Sequence, residues 1–134
     1  ADQTRCFAVG SVSERLAGAY ERSVEIVHAV SKAARPGRTG SELYELALEM
    51  CSELGSASAT GTRVSFVAHG FGLELDEPPF LARGWEYPLE AGMVFALEPK
   101  FVFPEGAIGL ENAYAVTDSG VECLTSAPEE LIAL

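Results

Sequence analysis

Four polar residues of this 134-residue chain stand among apolar or glycine-rich neighbours. Asp2 opens a β-prone run, His69 lies in Ala68-His69-Gly70-Phe71-Gly72, and Glu98 ends the apolar stretch Val94-Phe95-Ala96-Leu97 just before Pro99. Glu111 lies in Ile108-Gly109-Leu110-Glu111-Asn112. A carboxylate carried unpaired into a low-dielectric interior is costly or gives up its charge, so each of these acids needs a partner. Three acids and one imidazole make a ligand set. Such borderline-hard donors suit divalent Mn, Fe, Co or Zn better than a thiol-loving ion, and the ion would supply the countercharge that Glu98 lacks. Two close ions sharing carboxylates could hold a hydroxide between them for hydrolysis. Each residue also has a plainer reading: a lone histidine is usually a hydrogen-bonded structural residue, a glutamate ending a strand usually faces solvent, and an acid near a terminus is usually on the surface. A register shift of one residue turns Glu98 or Glu111 to water.

The elements that must position these residues follow from periodicity. Ser13 precedes Glu14, and Leu16, Ala19, Tyr20, Val24, Val27 and Val30 recur at helical spacing until Arg35-Pro36-Gly37, which predicts a long amphipathic helix. Thr39-Gly40-Ser41-Glu42 has the capping-box pattern, and Leu43, Leu46, Ala47, Met50, Cys51 and Leu54 continue a second helix to Gly55. Cys51 is thereby expected in the core. After a stretch rich in Ser, Ala, Thr and Gly at 56–62, short β-prone runs take over. Strands are expected over Gln3–Val9, Val64–Val67, Met93–Glu98, Lys100–Phe103, Ile108–Val116 and Val121–Leu124, with turns at Pro104-Glu105-Gly106 and Asp118-Ser119-Gly120. Helices first and closely spaced strands later give an α+β domain, two helices packed on an antiparallel sheet.

Composition narrows the function classes. With 48% hydrophobic and 22% charged residues the chain is an ordinary globular sequence, long enough for one real core. Nine Lys and Arg against 20 Asp and Glu give a formal charge of −11, which repels phosphate backbones and argues against nucleic acid. The three cysteines, Cys6, Cys51 and Cys123, are far apart and lack C-x-x-C spacing, so neither a disulfide framework nor a thiolate zinc site is indicated, and a reducing cytoplasm is expected. No apolar run approaches membrane-spanning length.

The order of motifs carries a family likeness. Asp2-Gln3-Thr4-Arg5, His69-Gly70-Phe71-Gly72-Leu73 leading to Glu77-Pro78-Pro79, Leu89-Glu90-Ala91-Gly92-Met93-Val94-Phe95 into Glu98-Pro99, then Glu111-Asn112 and Val116-Thr117-Asp118-Ser119-Gly120 closely resemble the catalytic domain of Xaa-Pro aminopeptidases and prolidases. Methionine aminopeptidases are more distant relatives. The resemblance implies the C-terminal part of a pita-bread domain, with helices outside a curved antiparallel sheet and metals in its concave centre. It implies that Asp2, His69, Glu98 and Glu111 are four of five ligands to two divalent metals. In this scheme Asp2 and Glu111 bridge the two ions, His69 and Glu98 each bind one, and Glu98 also shuttles protons. The reaction implied is hydrolysis of X-Pro peptide bonds by a metal-held hydroxide, and relatives are often homodimers.

Three departures stand beside the likeness. The family's fifth ligand, an aspartate upstream of Asp2, has no counterpart, so residues 1–134 are expected to be the C-terminal portion of a longer catalytic domain. Where the family has a histidine contacting the scissile peptide, this chain has Asp76, and where prolidase-like members carry an arginine it has Gly109. Both bear on substrate, which is expected to be a peptide or another small molecule. Alternatives therefore stay open: a metal-dependent lyase or non-peptide hydrolase with Asp76 as general base, or a non-catalytic binding module. Trp85 and Tyr87 either line a pocket or anchor their loop.

Overall fold

The structure is a computed structural model that describes residues 1–52 and 66–134. The first helix, α1 (Glu14–Ala33), begins at Ser13, whose side-chain oxygen accepts from the Leu16 amide, and it buries Ala19, Tyr20, Ile26, Val27 and Val30. The second, α2 (Gly40–Ser52), forms the reciprocal cap expected of its opening residues. The Thr39 amide donates to Glu42 Oε2 at 3.0 Å, and the Glu42 amide donates to Thr39 Oγ1 at 3.2 Å. The Ser, Ala, Thr and Gly stretch, the helix end at Leu54-Gly55 and the strand start at Val64 lie outside the described residues.

Before α1 lies only a short strand, β1 (Phe7–Ala8), not the continuous strand expected over Gln3–Val9. It pairs in parallel with β9 (Ile132–Ala133), an element the periodicity did not announce, while Thr4 forms an isolated bridge to Glu111. The main sheet contains β2 (Phe66–Gly70), β3 (Glu77–Ala82), β4 (Val94–Leu97), β7 (Asn112–Val116) and β8 (Val121–Cys123). Its order is β3-β2-β4-β7-β8, and every neighbouring pair is antiparallel. Between β4 and β7 the chain leaves this sheet to make a separate hairpin, β5 (Lys100–Phe103) with β6 (Gly106–Gly109), turning at Pro104-Glu105.

A second strand expectation is corrected here. The run Ile108–Val116 does not form one strand: it breaks at Leu110-Glu111, and its halves enter different sheets. β3 (Glu77–Ala82) is a strand that the periodicity did not announce; it lies at the sheet edge, where prolines remove no donor needed by a second neighbour. The helices pack on each other, α1 against β5 and β6 and α2 against β2 and β3, and enclose a core that includes Ile26, Leu43, Leu81, Phe95 and Leu97. Cys51 lies in this core as expected, and burial pushes its thiol up to about 11.

Candidate metal centre

Antiparallel pairing decides which way the polar residues face. His69 on β2 stands opposite Ala96 on β4, and Leu97 stands opposite Asn112 on β7. Side chains alternate along a strand, so Glu98, two residues beyond Ala96, shares the face of His69. One step past the Leu97 and Asn112 pair, Glu98 and Glu111 become neighbours across the same ladder. Thr4 bridges Glu111, with the Thr4 amide donating to the Glu111 carbonyl and the Glu111 amide to that of Thr4, which brings Asp2, two residues earlier, to the same side.

The donor atoms meet accordingly. Asp2, His69 and Glu111 each offer one ligand atom, and the three atoms lie within 4.8 Å of one another. His69 is 3% exposed and Glu111 5% exposed, so both sit where an uncompensated charge is costly. His69 Nε2 is 4.0 Å from Asp2 Oδ2 and 3.5 Å from Glu98 Oε1. Glu98 faces the same group through that one oxygen only. Its other oxygen, Oε2, accepts from Lys100 Nζ at 2.6 Å, so the protein itself supplies the countercharge that the sequence reading sought in a metal alone.

Glu111 carries the clearest electrostatic mark. Burial pushes its carboxyl above the ordinary carboxylate range; the Thr4 hydroxyl, which donates to its Oε2, opposes this, and the negative Asp2 and Glu98 add to the push. Three acids facing one another with a single imidazole are a donor set that a divalent cation would satisfy, since it relieves both the desolvation and the mutual repulsion. The set fits a divalent ion bound by oxygen and nitrogen.

Several supporting residues carried no signal that periodicity could find. Arg5 donates from Nη1 to the Glu111 carbonyl at 2.7 Å and from Nη2 to Asn112 Oδ1 at 2.7 Å, which ties the segment bearing Asp2 to the strand bearing Glu111. The fully buried Asn112 donates to Glu129 Oε1 at 2.6 Å, and Glu129 meets His28 Nε2 through its other oxygen at 2.6 Å. Beside Glu98 and Glu111 a small cleft of about 140 Å³ is lined by Thr4, Cys6, Lys100 and Gly109. At Gly109 any Cβ would lie 2.5 Å from the Pro99 carbonyl oxygen and 3.0 Å from Lys100 Cα, so only glycine permits this approach. Trp85 and Tyr87 serve both expected roles: Trp85 packs edge-on against Phe80 and at a tilt against Tyr87, and both line a cavity of about 600 Å³ with Phe71, Glu77 and Met93. Asp76 places Oδ1 3.3 Å from His69 Nδ1, on the opposite edge of the ring from the other acids.

Comparison with known proteins gives the family. The sequence model of metallopeptidase family M24 matches residues 1–118. The chain belongs to that family. The Xaa-Pro dipeptidase of Pyrococcus furiosus is 33% identical over 132 residues, which are 98% of this chain and 37% of that protein. Among solved structures, the Xaa-Pro dipeptidase from Bacillus anthracis superposes with a TM-score of 0.91 at 34% identity, covering 100% of this chain and 37% of that one. The X-Pro aminopeptidase from Thermotoga maritima gives a TM-score of 0.90 at 28% identity, covering 100% and 38%. The fold is thus the α+β pita-bread fold of M24 metallopeptidases, and the chain spans little more than a third of the length of the relatives it matches. No helix among the described residues is long and apolar enough to cross a membrane.

Proposed function

We propose that this M24 chain carries the metal-binding side of an exopeptidase that hydrolyses X-Pro bonds, with Asp2, His69, Glu98 and Glu111 as ligands. The observation that carries the reading is the meeting of Asp2, His69 and Glu111, remote along the chain, within 4.8 Å in a buried acidic setting. The family and the similarity to Xaa-Pro dipeptidases support the substrate class. Oxygen and imidazole donors suit Mn, Co, Fe or Zn. Three free cysteines suit a reducing cytoplasm. A homodimer is proposed on the resemblance alone, and analytical ultracentrifugation tests it.

When bound, a divalent ion supplies Lewis acidity toward a peptide carbonyl and makes water a usable nucleophile at neutral pH. The remaining work belongs to protein groups. His69 is held by its Nδ1 edge, which leaves Nε2 directed at the carboxylates. Glu98 is the group placed to take a proton from water and pass it to the leaving amine, because one oxygen faces the set and the other is steadied by Lys100.

The test is turnover of X-Pro dipeptides by the Mn- or Co-loaded protein, with His69→Ala and Glu111→Gln as controls. Activity should appear with metal and fall by at least a hundredfold, on the order of the loss of a ligand or general base, in both variants and in Glu98→Gln. Stoichiometric metal uptake without any X-Pro cleavage would sink the substrate assignment and leave a different metal-dependent reaction. Turnover that survives His69→Ala would sink the site.

A further inference from the structure

The Nδ1 edge of His69 meets two groups that can only accept. The Gly70 carbonyl oxygen is 3.1 Å from Nδ1, and Asp76 Oδ1 is 3.3 Å away. Nδ1 must therefore carry the proton and donate, which leaves the electron pair of Nε2 facing Asp2 and Glu98. The Phe66 ring packs edge-on against the imidazole with centroids 5.5 Å apart, so the ring plane is also set by packing.

The loop that brings Asp76 here is itself built around one carboxylate. Glu77 Oε2 accepts from the amides of Leu73 at 3.1 Å and Glu74 at 3.0 Å. A Cβ at Gly72 would lie 2.4 Å from Glu77 Oε1, so the loop backbone passes directly over that side chain. Folding the loop over Glu77 fixes the position of the adjacent Asp76. Asp76 is half-exposed, so the contact is screened and worth little to global stability. Its reach to a buried ring is what remains to be explained.

We propose that Asp76 is a positioning residue that holds His69 through Nδ1 and strengthens Nε2 as a donor to a divalent cation. The Gly70 carbonyl alone already selects the tautomer; Asp76 adds a negative charge on the far edge of the ring, which drives electron density toward Nε2. This gives Asp76 a different task from a general base acting on substrate, because it stands across the imidazole from the other acids. The inference rests on the metal reading above.

Binding of Co²⁺ from its chloride salt, followed by calorimetry, tests it together with NMR of the metal-free protein. Asp76→Asn keeps the shape and an acceptor oxygen but removes the charge, and should weaken Co²⁺ binding by roughly tenfold to a hundredfold. Asp76→Glu should recover part of that loss. In the metal-free protein the His69 Nδ1 proton should resonate farther upfield in Asp76→Asn and Asp76→Ala than in the wild type, with unchanged urea midpoints. If wild-type protein binds Co²⁺ and Asp76→Asn binds it equally well, the inference is overturned whatever the resonance does, and the metal reading stands. If the wild type takes up no Co²⁺, the metal reading falls and this inference falls with it.

Discussion

Glu111 is a buried acid whose surroundings work against its charge, and this has a measurable consequence in the absence of metal. Its folded carboxyl titrates above the ordinary range, first because of burial. A raised folded value means that the native state favours the protonated acid, so the stability it contributes is fully present below the unfolded value and lost as pH rises through the folded one. The metal-free protein should therefore lose stability with rising pH across that window, and Glu111→Gln should flatten the loss. Urea midpoints measured against pH check this; parallel curves for the two proteins would contradict it. Lys100 supplies a second case, since its ammonium is the countercharge in contact with Glu98. Lys100→Met should cost on the order of 1 kcal/mol in metal-free protein, and less at saturating Mn²⁺. The acids were legible from residue type and neighbours alone. Lys100, two residues from Glu98, was visible in the sequence, and so was the hairpin it opens, but no local pattern reveals that its ammonium turns back to Glu98.

At the scale of elements, caps and turns were readable because their chemistry is local. Ser13 caps α1, Thr39 and Glu42 cap α2, and Thr117 closes the turn between β7 and β8 by accepting from the Gly120 amide at 3.1 Å. Thr39→Ala should lower stability by about 1 kcal/mol, the usual worth of a cap. Gly40 makes the contrast. Helix propensity alone favours alanine over glycine by about 1 kcal/mol. A Cβ at Gly40, however, would lie 2.0 Å from the Phe80 carbonyl oxygen and 2.8 Å from Trp85 Cδ1. Gly40→Ala should therefore destabilise, by about 1–3 kcal/mol as overpacking does, with a lower urea midpoint and an unchanged slope. A stabilised variant would mean that α2 does not press on β3 as described. The break at Leu110-Glu111 was illegible for a related reason: the run is β-prone throughout, and only the partners on either side show that its halves belong to different sheets.

For the molecule as a whole, burial ranks the thiols. Cys51 is 6% exposed with its thiol pushed up to about 11, whereas Cys123 is exposed. A thiol reagent applied to native protein at pH 8 should modify Cys123 first and Cys51 only after denaturant is added; equal rates would mean that the core does not close over Cys51. By itself the sequence determined the α+β class, both helix starts, the hairpin and turn positions, the family, and the residue types that could ligate a metal. Those follow from periodicity, capping chemistry and the order of short motifs, all of which act along the chain. Only the tertiary structure decided that Asp2, His69 and Glu111 meet within 4.8 Å, that Glu98 divides its oxygens between that group and Lys100, and that Asp76 stands behind the imidazole. Facing across a sheet depends on register, and a slip of one residue would reverse every side chain, so no local pattern could fix it.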